Sequence, residues 1–186
     1  MSDTFYDYAR FDDQKVIEIM SGWDGLGGYH GLLVAKMGML TMGDSLLDVG
    51  CGLAHLYEAI NRIRNTPIPK YVGVDIDERV LKEVTARYPQ LTFMNKNVYD
   101  LSGLEIFDTV ASVGLYRYAP AKVDSLMQML AHTKYCFLTC YYVEPPERGK
   151  ILDVFRVPGW AHEFVTHDID DKLEILRMWN LGTMKI

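Results

Sequence analysis

From residue 45 onward, hydrophobic and polar positions change their period in a regular order. Leu46, Leu47 and Val49 make a short apolar run interrupted by one acid, the pattern of a strand covered on both faces. Leu56, Ala59, Ile60 and Ile63 then recur at helical spacing. They predict a helix near Leu53–Arg64 that Thr66-Pro67-Ile68-Pro69 ends. Lys70–Ile76 reads as a second strand, Glu78–Tyr88 as a helix and Leu91–Asn97 as a third strand. Phe107–Leu115 supplies a fourth strand and its exit loop. Pro120 is placed to open a helix with Val123, Leu126, Met127 and Leu130 on one stripe. Tyr135–Tyr142 predicts a fifth strand, and Pro145-Pro146 forces a loop. A helical stretch near Lys150–Phe155 leads to two strands, Glu163–Ile169 and Leu173–Asn180, that turn at Asp170-Asp171. The succession predicts an α/β fold: a doubly wound, mostly parallel seven-stranded sheet with a C-terminal antiparallel hairpin. Ahead of it, Gln14–Met20 and His30–Leu40 predict two short helices around the glycine-rich stretch Gly22–Gly28. Residues 1–44 are therefore expected to form an N-terminal helical lid segment, and 45–186 the body of a single structural domain.

Composition narrows the picture. A chain of 186 residues with 49% hydrophobic and 24% charged positions is ordinary for one soluble domain. No apolar run approaches the ~20 residues of a membrane span. The polar, acidic N-terminus is expected not to be a signal peptide. The net charge of −6 argues against a nucleic-acid partner. Cys51, Cys136 and Cys140 have neither disulfide nor zinc spacing, and the five histidines are scattered, so no metal site is expected. Buried free thiols imply a reducing, cytoplasmic setting.

The densest chemistry lies in Ser45–Ala54. Gly50 and Gly52 follow the first strand directly and leave no Cβ between the backbone and a ligand. A strand, a Gly-x-Gly turn and a helix make a nucleotide-sized site at the carboxyl edge of a sheet. The dinucleotide fingerprint wants a third glycine where this chain has His55. Two acids stand out instead. Asp48 lies inside the first strand, and Asp75 ends the second, where an acid can hold both ribose hydroxyls.

Asp48-Val-Gly50-Cys51-Gly52-Leu-Ala54 resembles the first motif of class I S-adenosylmethionine (SAM)-dependent methyltransferases, Asp/Glu-x-Gly-x-Gly-x-Gly, with alanine at the last glycine. Gly22-Trp23, Tyr71-Val-Gly-Val-Asp75 and the terminal hairpin with His167-Asp168 resemble the small stand-alone members of that family. The resemblance implies a Rossmann-like methyltransferase fold and SAM as cofactor. Gly50, Cys51 and Gly52 would lie against its methionine and ribose, and Asp48 would reach its amino group directly or through water. Asp75 would hold the ribose hydroxyls, and Ile76 would pack on the adenine. Asn97 would face the adenine amino group, and Val98 would offer the ring a backbone N–H. Ser112 to Leu115 would line the sulfonium. Leu32 stands where related sequences are expected to carry an arginine for the SAM carboxylate; Lys36 or Tyr29 could substitute.

Methyl transfer is an in-line displacement, so a general base is needed only where the acceptor must lose a proton. Candidates are Tyr29, His30, Tyr116 and Tyr141, with Tyr118, Tyr142, His162 and His167 as further options. The loop Ala111–Tyr116 has neither an Asn/Asp-Pro-Pro-Tyr sequence nor a Pro-Cys pair. A small-molecule acceptor is therefore expected, with a peptide or protein side chain second. Two alternatives stand beside this: a non-catalytic SAM-fold binding or regulatory protein, and a nicotinamide-dependent oxidoreductase, against which His55 and Asp48 count.

Overall fold

Buried aliphatic runs and amphipathic helices alternate along the chain to build one sheet with helices on its faces. The computed structural model describes residues 12–21, 29–64, 66–113, 115, 122–142, 155–166 and 173–183. Two helices come first, α1 (Asp13–Ser21) and α2 (Tyr29–Leu40). Then follow β1 (Ser45–Val49), α3 (His55–Arg64), β2 (Lys70–Asp75), α4 (Glu78–Arg87) and β3 (Thr92–Asn95). The chain continues with β4 (Phe107–Val113), α5 (Lys122–Ala131), β5 (Thr133–Tyr142), β6 (Trp160–Thr166) and β7 (Leu173–Asn180).

The seven strands lie in the order β3-β2-β1-β4-β5-β7-β6. All neighbours up to β5 are parallel, and β7 runs antiparallel to both β5 and β6. This is the doubly wound sheet with a terminal antiparallel hairpin that the periodicity predicts. The order reverses at β1, which β2 and β4 flank, so a crevice opens beyond the carboxyl ends of β1, β2 and β4.

Strand parity divides the core. Leu46, Ala111 and Leu138 face Leu33, Met37 and Ile60 of α2 and α3. Leu47, Val110 and Phe137 face the other way, toward Leu126 and Met129 of α5. A third, small group joins Val16 of α1 to Leu53 and Val80.

Side-chain bonds lock the edge where the strands begin. The Asp108 carboxylate accepts the N–H groups of Asp44 (3.0 Å) and Ser45 (3.2 Å), and Ser45 Oγ accepts the N–H of Asp108 (2.8 Å). Thr109 Oγ1 donates to the Met42 carbonyl (2.7 Å) and accepts its N–H (2.9 Å). Arg64 donates to the carbonyls of Thr41 and Gly43. The C-terminal end of α2 is thereby tied to the start of β1.

Several boundaries differ from the sequence reading. β3 stops at Asn95, and Asn97 lies in the turn beyond it. In α5 the buried arc runs through Ser125, Leu126, Met129 and Leu130, leaving Val123 53% and Met127 49% exposed. Ile63 is likewise 38% exposed at the last turn of α3. Gly22–Gly28, Pro120, Pro145-Pro146, most of Lys150–Phe155 and the Asp170-Asp171 turn lie outside the described residues.

Candidate functional site

The crevice is built from the turn after β1 and the end of β2. Gly50 takes a φ of +72° and Gly52 one of +50°, which reverses the chain out of the strand. Three consecutive N–H groups of this turn are bonded to β2 and the acid that ends it. Gly50 and Cys51 donate to the Val74 carbonyl (2.8 and 3.0 Å), and Gly52 donates to Asp75 Oδ2 (3.0 Å). A turn that cradles phosphate would aim these N–H groups at the ligand.

Ala54 completes the turn at a φ of +62°, its methyl fully buried. The backbone thus takes the left-handed shape that glycine would give freely, at a cost of about 1–2 kcal/mol for an L-residue. The side chain of Leu115, just past β4, lies 3.3 Å from where a Cβ on Gly50 would stand. Any ligand seated on Gly50 therefore shares space with Leu115.

Asp75 is half-buried, and its other oxygen accepts the N–H of Asp77 (3.0 Å). Burial raises its carboxyl above the usual range, against the lowering effect of the Asp77 and Gly52 N–H groups. A carboxylate can accept about four hydrogen bonds, so capacity remains for ligand hydroxyls. Asp77 caps α4 by accepting from the Arg79 N–H (3.0 Å) and pairs with the Arg79 guanidinium (2.6 Å). Next to Asp75, Ile76 leaves 66% of its surface open, an apolar platform at the strand end.

Asp48 is 1% exposed. Its Oδ2 accepts the hydroxyl of Tyr71 (2.8 Å), while its Oδ1 has no hydrogen-bond partner among the described residues. Burial pushes its carboxyl up to about 7, Tyr71 pulling it down and the charge of Asp75 raising it. Opposite Asp48 on β2 is Gly73, where a Cβ would meet Phe93 at 2.7 Å and Cys51 Sγ at 2.9 Å. The missing side chain gives Cys51 and Phe93 their room. Burial raises the Cys51 thiol well above its usual range, aided by Asp48 and Asp75, so it is an inert core thiol at neutral pH.

The remaining expected site residues are spread differently. Asn97 Oδ1 accepts the N–H of Tyr99 (3.0 Å), which makes it an Asx-turn residue past the end of β3. Val98 is partly buried against the core on the α5 side. Ser112 is fully buried within β4, opposite Thr139 of β5, and its hydroxyl has no partner among the described residues. Leu115, rather than Ser112, touches the turn. Tyr29 and His30 open α2 and Tyr141 is the last residue but one of β5, while Tyr116, Tyr118 and His167 lie outside the described residues. His162 sits on β6, four strands from β1, or roughly 19 Å at the usual strand spacing. It stacks edge-on with Phe164. Two participants were missed from the sequence: Tyr71, and Val16, whose helix seats on Leu53 and Val80 beside the turn.

No protein-family model matches the chain, and neither does any curated protein. Solved structures do match over most of its length. The plantazolicin methyltransferase BpumL, in complex with S-adenosylhomocysteine (SAH) and a monoazolic desmethylPZN analog, superposes with a TM-score of 0.70 at 12% identity. That match covers 93% of this chain and 92% of BpumL. The N-methyltransferase NodS from Bradyrhizobium japonicum gives 0.62 at 11% identity, covering 80% and 93%. Magnesium protoporphyrin IX methyltransferase from Synechocystis, with bound SAM, gives 0.58 at 15% identity, covering 90% and 79%. The chain has the fold of class I SAM-dependent methyltransferases, with their seven-stranded sheet and antiparallel β7.

Proposed function

We propose that this protein is a SAM-dependent methyltransferase, acting on a small-molecule acceptor. The observation that carries the reading is the character of the turn. Its first three N–H groups are engaged by Val74 and Asp75, and two carboxylates stand beside it. Such a site repels a pyrophosphate and suits a phosphate-free nucleoside that carries positive charge. SAM is of that kind, and NAD is not.

The residues fit the cofactor's parts. Asp75 would hold the ribose hydroxyls, Ile76 would lie under the adenine, and Asp48 with its unpaired oxygen would face the amino group. Gly50, Cys51 and Gly52 would line the methionine side, against Leu115. When bound, SAM supplies a methyl group on a sulfonium that is already a good leaving group. The chain's task is then to hold the acceptor's attacking atom about 3–3.5 Å from that methyl and in line with the departing sulfur. A proton acceptor is needed only for an acceptor that attacks as an anion. Tyr29, His30, Tyr116 and Tyr141 remain the proposed set for that role. Residues 1–44 would serve as the lid over the site.

Calorimetric titration with SAH, with NAD as control, tests the cofactor. Saturable binding of SAH alone is expected, followed by transfer of labelled methyl in a screen of small nucleophiles. Asp75→Ala should weaken SAH binding by roughly 1.5–3 kcal/mol, the loss typical of hydrogen bonds to a charged group. Unchanged affinity would remove Asp75 from the site. The alanine at position 54 and the leucine at position 32 favour a second reading, a non-catalytic SAM-binding protein. SAH binding without turnover on any acceptor would support it.

A further inference from the structure

We infer that Tyr71 is a positioning residue for the cofactor's amino group, orienting Asp48 so that one carboxylate oxygen stays available to it. The inference rests on the SAM reading above and adds a residue to it. Tyr71 comes from the start of β2, on the same sheet face as Asp48. Its ring is fixed by Tyr57 at 5.0 Å and Phe93 at 6.0 Å, and Tyr57 in turn meets Tyr88 at 5.5 Å. A phenylalanine would fill the same space. The hydroxyl is the part that packing does not require, and its recorded bond is to Asp48 Oδ2 at 2.8 Å.

That bond leaves Asp48 Oδ1 as a buried acceptor without a donor. A buried carboxylate in that state is costly unless a cation or hydrogen-bond donor arrives. Among the described residues the Tyr71 hydroxyl is the bonded donor, and it is spent on Oδ2. Cys51 and Asp75 add negative charge when ionised. Beyond Tyr71, the Tyr88 hydroxyl is bonded to Glu58 of α3. The other titratable residues of α3 are His55, Tyr57, Arg62 and Arg64, and Arg64 is committed to Thr41 and Gly43. α2 carries Tyr29, His30 and Lys36, and Asp108 of β4 is at the opposite end of the sheet. An ammonium group, direct or through one water, satisfies the orphan oxygen and balances the charge.

The consequence is a pH signature that ring packing alone would not produce. Binding through ionised Asp48 strengthens as pH rises and levels off near the carboxyl's own value, about 7. Removing the Tyr71 hydroxyl takes away a bond that favours the ionised form. The break should then move up by about one pH unit, and affinity should fall about fivefold at pH 7 and about tenfold well below the break.

The experiment is SAH titration of the full chain from pH 5.5 to 8.5, for the wild type, Tyr71→Phe and Asp48→Asn. We expect a break near 7 in the wild type, a higher break in Tyr71→Phe and none in Asp48→Asn. A wild type without a break, an equal break in Tyr71→Phe, or a break that survives in Asp48→Asn overturns the inference while leaving SAM binding intact. No SAH binding at any pH overturns the cofactor reading itself. Should Tyr71→Phe fail to fold, the wild type made with 3-fluorotyrosine replaces it. That stronger donor must lower the break, and an unmoved break counts against Tyr71.

Discussion

At the scale of single residues, Asp48 sets stability against binding. Its folded carboxyl titrates near 7, against an ordinary value of 3.8. The folded state therefore holds a proton that the unfolded state has already released between those values. Stability falls as pH rises from about 4 to about 7 and is level beyond. Asp48→Asn keeps the shape and removes the buried charge. It should stabilise the fold at pH 8 by about 1–3 kcal/mol, seen as a higher melting temperature, and change little at pH 4, where Asp48 is already neutral. Thermal melts of both proteins at the two pH values check this; a destabilised Asp48→Asn at pH 8 would mean that the charge is satisfied in the fold. The same substitution should weaken SAH binding.

Between elements, the clamp around Asp108 makes its own demand. Gly43 sits at a φ of +73°, and a Cβ there would stand 2.4–2.7 Å from the Asp108 side chain. Left-handed strain and overpacking together predict a loss of roughly 2–4 kcal/mol for Gly43→Ala. Gly103 has a similar φ of +78° but open space around it. Gly103→Ala should then cost only about 1–2 kcal/mol. Urea denaturation of the pair separates strain from crowding. The elements themselves were legible wherever burial is nearly complete. β1, β2 and β4 read clearly because Leu46, Leu47, Val72, Val74 and Val110 are held on both faces of the sheet. Legibility fails at margins. Val123 and Met127 carry the right period, yet α5 is rotated so that Ser125 and Met129 take the inner positions. Asn97 resembles a strand end by spacing, but β3 closes at Asn95 and leaves it to the turn. In the candidate site, Asp48, Gly50 and Gly52 could be picked out because one short motif concentrates them, and Asp75 because it ends the next apolar strand. Tyr71 could not, since its partner is 23 residues away and only strand register brings them together. The signal was there in parity, with Tyr71 and Gly73 sharing a face and Gly73 opposite Asp48.

Over the whole molecule, the two large cores hold the sheet, and α1 stands apart from both. It rests on Val16 and Ile17 against Leu53 and Val80, with Asp13 3.9 Å from Arg79 at the surface. So small a contact makes α1 the least protected of the described helices. Hydrogen exchange should show α1 amides opening well before those of β1, β4 and β5, and saturating SAH should slow them by bracing Leu53 from below. Equal protection in α1 and the central strands would contradict this. The placement of the Asp108 clamp has a wider consequence. It binds the edge where strands begin, while the turn, Leu115 and the loops that would meet an acceptor stand at the edge where strands end. Tolerance and innovation are thus housed at opposite rims of one sheet. Under the proposed function, loops at the far rim could be rewritten for new acceptors, generation after generation, without touching the joints that keep the architecture upright.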